Sequence, residues 1–253
     1  MRPPGGRASE AANMITGPII AEIAALVGDP ARATMVSTLL DGRALTASEL
    51  ARAARVTPQT ASTHLAKLTE AGLLRVVPSG RHRHFRLASA AVADMIDGIV
   101  AVALAQRPRY RPLSRQSRAL SAARICYDHL AGRLSVDLTD SLVAREYIVL
   151  DAEAAEITTA GARFFADFGI GLPRSSRRRH CRLCLDWTER RPHIAGAIGA
   201  AITRRCFDLG WMERVTGSHA VIVTPSGRRG FRQRFGVETS ALAEAGTRAS
   251  SRG

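Results

Sequence analysis

The sequence predicts a mainly α-helical chain with small β-hairpins, divided into an N-terminal domain over 14–106 and a C-terminal α+β domain over 119–237. Three observations predict it. Apolar residues recur at helical spacing in many short segments. Pairs of short strand-like runs around glycine or polar turns recur between those segments. Residues 107–118 (RPRYRPLSRQSR) hold five Arg, two Pro and no acid, and read as a basic linker between two globular parts. At 253 residues the chain is long enough for two cores. Residues 1–13 read as a disordered leader and 238–253 as a polar tail.

The elements follow in order. Met14, Ile15, Ile19, Ile23 and Leu26 mark a helix over 14–27, and Asp29-Pro30 caps and opens a second one carrying Met35, Val36, Leu39 and Leu40. Thr46 with Glu49 makes a capping box for a helix over 47–54. Thr57-Pro58 opens the next, which runs to about residue 71 and stops at Gly72. Strands over 73–77 and 84–87 flank the turn Pro78-Ser79-Gly80-Arg81, and an apolar helix over 89–105 follows. In the second half the spacing predicts helices over 119–134 and 138–145, a hairpin over 147–158 and a helix over 159–168. A basic loop over 169–184, a helix over 192–209, strands over 211–215 and 221–224 and a helix from 225 complete it. The runs 68–89 and 206–226 share a plan of helix end, glycine, strand, turn, strand and new helix. The second half is therefore read as a degenerate winged-helix-like unit.

The net charge of +14 and a pI near 11.2 favour a polyanionic partner. No apolar run is long enough to span a bilayer and no signal-peptide core is present, so a cytoplasmic protein with no membrane partner is expected. In that compartment Cys126, Cys181, Cys184 and Cys206 read as free thiols, metal ligands or redox centres, not as a disulfide framework. With no phosphate-binding glycine loop, nucleophile elbow or supported acid pair, the sequence does not read as an enzyme.

The stretch 45–87 has the order of a winged helix-turn-helix. Its second helix begins with short polar side chains suited to a major groove: Thr57, Gln59, Thr60, Ser62, Thr63 and His64. Gln59 can pair with adenine, and Lys67 suits a phosphate. Arg81, His82 and Arg83 at the hairpin tip would reach a minor groove or its phosphates.

The run STHLAKLTEAGLL with GRHRHFRL, and 15–105 as a whole, resembles the DNA-binding domain of ArsR/SmtB-type bacterial repressors. The resemblance implies a homodimer built on the first and last helices, binding double-stranded operator DNA and released by an inducer, often a metal ion. Neither usual metal site of that family can be carried over. The helix before the reader (SELARAARV) has no Cys, and the last helix has Asp94 and Asp97 but no His.

Signal reception therefore points to the second half. Cys126 and His129, read as one helical turn apart, and Cys181 and Cys184 in a C-x-x-C could hold Zn or another divalent ion as inducer. A thiol-redox switch and a small-molecule-responsive regulator stand as alternatives. So does a metal or redox stress-binding protein that uses the winged helix only as scaffold.

Overall fold

A computed structural model describes residues 6–79, 82–105, 115–150, 155–171 and 181–239. They separate into two compact units, Met1–Val92 and Ala93–Gly253.

The first unit is a winged helix-turn-helix. Helix α1 (Gly6–Val27) starts eight residues earlier than apolar spacing predicts, within the expected leader; its Ala-rich start has high helix propensity without an apolar stripe. Asp29 caps α2 (Pro30–Thr38), accepting from Arg32 N at 2.9 Å. Thr46 and Glu49 form the expected capping box on α3 (Ala47–Ala54). The turn into α4 (Pro58–Glu70) is made by Arg55 in a left-handed conformation. Strands β1 (Leu45–Thr46), β2 (Leu74–Ser79) and β3 (His82–Leu87) form an antiparallel sheet in the order β1-β3-β2. Met35, Leu39, Leu50, Leu65, Leu68, Leu74 and Leu87 are fully buried and fix α4 relative to the sheet.

Helix α5 (Ala90–Ala105) continues the chain into the second unit, its residues from Ala93 onward belonging there and not to the reader as expected. Helix α6 (Arg115–Ala122) begins within the expected linker; 106–114 lie outside the described residues. Strands β4 (Arg124–Cys126) and β5 (His129–Ala131) replace the helix predicted over 119–134. Tyr127 at φ 56° and Gly132 at φ 86° interrupt any helix, and β4 finds partners in the C-terminal hairpin, with Ile125 N donating to His219 O at 2.9 Å. Tertiary pairing here outweighs helical spacing.

The rest is α7 (Arg133–Ala144), β6 (Ile148–Leu150), β7 (Ala155–Ile157), α8 (Thr159–Asp167), β8 (Arg182–Leu185), β9 (Pro192–Ala195) and α9 (Gly196–Asp208). After them come β10 (Met212–Arg214), β11 (Val221–Val223), α10 (Pro225–Gly230) and a π-helical turn, Phe231–Phe235. The helix predicted over 192–209 starts only at Gly196, because Pro192–Ala195 pairs with β8. Of the basic loop predicted over 169–184, Arg182–Cys184 are strand, paired with β9, and 172–180 lie outside the described residues, as do 240–253.

This unit is built twice from one plan. The series β4-β5-α7-β6-β7-α8 and the series β8-β9-α9-β10-β11-α10 each run hairpin, helix, hairpin, helix. Thr158 caps α8 through Gly161 N, and Thr224 caps α10 through Gly227 N. A Cβ on Gly161 would lie 1.9 Å from Tyr147 O, and one on Gly227 would lie 2.0 Å from Trp211 O. Both glycines thus permit the same close approach of helix to strand. The two copies end in Phe168-Gly169-Ile170 and Phe235-Gly236-Val237. The second copy holds one more residue between its Gly227 and its Phe-Gly than the first does after Gly161. The π-helical turn, which carries one residue more per turn than an α-helix, takes it up. Leu134, Leu142, Ile148, Phe165, Ile198, Ile202, Met212, Phe231 and Phe235 share one core.

Candidate functional site

On α4 the reader is laid out as the sequence predicts for most positions. Thr57, Gln59, Thr60, Ser62, Thr63 and Lys67 are exposed, while Ala61, Leu65 and Leu68 are buried. The Ser62 hydroxyl donates to Pro58 O at 3.0 Å and that of Thr63 to Gln59 O at 3.2 Å, so their donors are already engaged with the helix. The Gln59 amide and the Thr methyl groups remain exposed on this face of the helix. His64 differs: it is half-buried, with Nδ1 3.3 Å from Arg32 and Nε2 3.9 Å from Asp29. It braces α4 on the start of α2 and does not project with the others. Arg83 is exposed on β3, whereas Arg81 and the His82 side chain lie outside the described residues.

The second unit brings together three of the four proposed ligands. One donor atom each from Cys126, His129 and Cys184 lies within 4.8 Å of the others. Cys126 and His129 face each other as opposed residues of β4 and β5, not along a helix. Cys184 and His193 are opposed in the same way on β8 and β9. His193 is fully buried, and its Nε2 lies 3.1 Å from His129 Nε2. Cys181 is not part of the group. It sits in the apolar core, where burial pushes its thiol up to about 12.

The electrostatics polarise the cluster. The neighbouring Cys126, then the imidazoles of His129 and His193, hold the Cys184 thiol well below its ordinary range despite burial. Cys184, burial and the nearby Asp97 push the Cys126 thiol up. Against burial, hydrogen bonds to Asp128 and Cys184 raise His129 to about 9. Cys126 Sγ donates to Asp97 Oδ2 on α5 at 2.6 Å. A pair of thiols beside imidazoles is the donor chemistry of a Zn-class ion, so the residues present fit such a group.

A model of the helix-turn-helix domain matches residues 27–77. YdfF of Bacillus subtilis (strain 168), an uncharacterized HTH-type transcriptional regulator, is 40% identical over 223 residues, which span 87% of this chain and 99% of YdfF. The chain belongs to this family of HTH-type transcriptional regulators. Solved structures similar to it include the homodimeric winged helix-turn-helix domain of Mb0332 from Mycobacterium bovis, at 22% identity, covering 39% of this chain and 89% of that one with a TM-score of 0.34. The transcriptional repressor BigR from Xylella fastidiosa matches at 21% identity, covering 37% and 94% with a TM-score of 0.33.

Asp97, Asp186 and His193 of this HTH-type regulator's second unit also border the group; the chain offers Asp186 two residues after the C-x-x-C and His193 at a helix entrance, but spacing alone does not bring them to Cys126 and His129. Asp186 is fully buried; Arg124 lies 2.9 Å away, and Gly132 N, Thr188 and Glu189 N donate to it. Against burial, Arg124 and these donors hold its carboxyl well below the usual range. A signal was present in the chain. Cys126-Tyr127-Asp128 with His129-Leu130-Ala131-Gly132 is matched by Cys184-Leu185-Asp186 with His193-Ile194-Ala195-Gly196.

Among the described residues, no helix is long and apolar enough to cross a membrane.

Proposed function

We propose that the protein is an ArsR/SmtB-type repressor that binds a pseudo-palindromic operator as a homodimer and releases it when a divalent ion of the Zn/Cd class binds its second unit. The observation that carries the reading is the convergence of buried Cys126 and His129 with half-buried Cys184 in the unit that follows the helix-turn-helix. Exposed apolar side chains support the dimer: Ile19 and Ile20 on α1, and Ile99 and Val102 on α5. Ion binding needs both thiols as thiolates and so ends the Cys126 donation to Asp97 on α5, the helix that leads out of the wing. This supplies a differential contact between the two states, as an inducer requires.

Fluorescence anisotropy on the protein's own promoter tests the proposal. Zn or Cd is expected to release the DNA, and a Cys126→Ser/Cys184→Ser double variant is expected to stay bound. Release by neither ion would remove the metal inducer.

The depressed Cys184 thiol beside Cys126 favours a second reading, release by oxidation of this pair. Release by peroxide in metal-free buffer, reversed by a dithiol, would select it.

A further inference from the structure

We infer that the ion site is a closed, four-ligand Cys2His2 centre assembled from two copies of one hairpin, with His193 as its fourth ligand. The inference rests on the metal-responsive reading above and adds a ligand, a coordination number and a pair of supporting carboxylates to it.

The duplication carries the argument. In each copy a Cys ends or nearly ends one strand, its directly opposed partner on the next strand is a His, and the pair is followed by an Ala-Gly step into a helix. His129 and His193 are 64 residues apart, as are Thr139 and Thr203, and Tyr147 and Trp211. The helix of each copy fastens the hairpin of the other. Leu130 N donates to Thr203 Oγ1 at 2.8 Å and Ile194 N donates to Thr139 Oγ1 at 2.9 Å. The two Cys–His pairs are therefore brought face to face, with the His129 and His193 rings in contact. An ion between them would meet one Cys and one His from each copy.

Geometry and hydrogen bonding agree. The two Nε2 atoms lie 3.1 Å apart, close to the edge of about 3.3 Å between two imidazole ligands of a tetrahedral zinc ion. His193 lies outside the group whose donor atoms are all within 4.8 Å of one another, so its ring must move toward the two sulfurs to complete the shell. The other nitrogen of each ring faces a carboxylate two residues beyond the Cys of its own copy. Asp128 Oδ1 is 3.4 Å from His129 Nδ1, and Asp186 Oδ2 is 3.7 Å from His193 Nδ1. A carboxylate behind the ring holds the tautomer in which Nε2 offers its lone pair to a metal. His193 Nδ1 is buried without a hydrogen bond; a small rotation of the ring as its Nε2 takes up an ion would close that gap. Four protein donors leave no open position, as suits a sensing or structural ion and not a catalytic one.

X-ray absorption of the zinc-loaded full-length protein, with Co(II) spectra of wild type and His193→Gln, tests this. Two sulfurs at about 2.3 Å with two imidazole nitrogens at about 2.0–2.1 Å are expected in wild type. Cobalt should give a thiolate charge-transfer band with four-coordinate ligand-field bands. His193→Gln should keep the thiolate band, lose the four-coordinate pattern and bind at least about 10-fold more weakly, the lower end of what loss of a supporting residue costs. One imidazole in the zinc shell, or unchanged cobalt bands in the variant, would overturn the fourth ligand and leave the metal-responsive reading standing. A wild-type protein that takes up neither ion, and shows no thiolate band, would remove both.

Discussion

Thr139 on α7 and Thr203 on α9 perform one task in opposite copies: each hydroxyl oxygen accepts a backbone N–H of the other copy's hairpin, Ile194 N at 2.9 Å and Leu130 N at 2.8 Å. Each hydroxyl also donates one turn back along its helix, Thr139 to Ser135 O and Thr203 to Gly199 O, both at 2.8 Å. Both capacities of each hydroxyl are used in the interior. The exchange locks the two Cys–His hairpins to each other.

Replacing either threonine by valine keeps the shape and leaves a buried N–H without an acceptor. A loss of about 1–3 kcal/mol is expected for Thr203→Val or Thr139→Val in urea denaturation. Thr203→Ser keeps the oxygen and should recover much of it. Equal losses for Ser and Val would show that packing of the methyl group dominates.

Gly161→Ala and Gly227→Ala force a Cβ to within 1.9 and 2.0 Å of the Tyr147 and Trp211 carbonyl oxygens. Backbone must move in both cases, so each should cost at least about 1–3 kcal/mol, as overpacking does. Gly171→Ala, with nothing within 4 Å of its added Cβ, is the control expected to leave the melting temperature close to wild type.

On the reader, Gln59→Ala is expected to weaken operator binding by about 1–3 kcal/mol while leaving random-sequence binding nearly intact. Lys67→Ala should weaken both and reduce the slope of log K against log salt by about 1. Titrations on operator and scrambled duplexes at several salt concentrations separate the two roles. Equal losses for Gln59→Ala on both duplexes would deny it a base contact.

Burial pushes the Cys206 thiol up to about 12. In the unfolded chain it titrates near ~8.5. Its contribution to stability is complete below about pH 8.5, where both states keep the proton. Between that value and the folded one the unfolded chain ionises first, so stability falls by about 1.4 kcal/mol per pH unit for this group. Urea denaturation from pH 7.5 to 10 should show the decline, and Cys206→Ala should make it shallower, Cys181 being raised in the same way.

Asp97 accepts from Cys126 at 2.6 Å. Asp97→Ala removes the α5 partner of that thiol without touching the other donors. The variant is expected to bind zinc, yet zinc should release DNA less completely. Full release by zinc in Asp97→Ala would remove α5 from the link between ion and operator.

The caps, turns and apolar stripes of the first unit are local, and they are written in short windows. Thr46 with Glu49 and Thr57 with Pro58 fold as read, because each rests on contacts within four residues along the chain, and the Leu65/Leu68 face follows helical spacing and is buried by the rest of the unit. The chain alone therefore determined a winged helix-turn-helix and most of the exposed side chains of its reader. His64 lay beyond such a window, since its bracing comes from Asp29 and Arg32 on another helix.

The proposed ion site was legible only in part, for the same reason. Spacing named Cys126, His129 and Cys184 but placed the first two on a helix and added Cys181 from a C-x-x-C. Cross-strand pairing decided otherwise: in strands β8 and β9, Cys184 meets His193 nine residues away, while Cys181 three residues away goes to the core. The repeated Cys-x-Asp and His-x-Ala-Gly are visible in the chain, yet no local rule says that two such hairpins meet. Their meeting depends on long-range exchange of Thr139 and Thr203 between copies and on a core shared by both. Local sequence determined the helix-turn-helix; only the packing of one half of the second unit on the other brought Cys126, His129, Cys184 and His193 together.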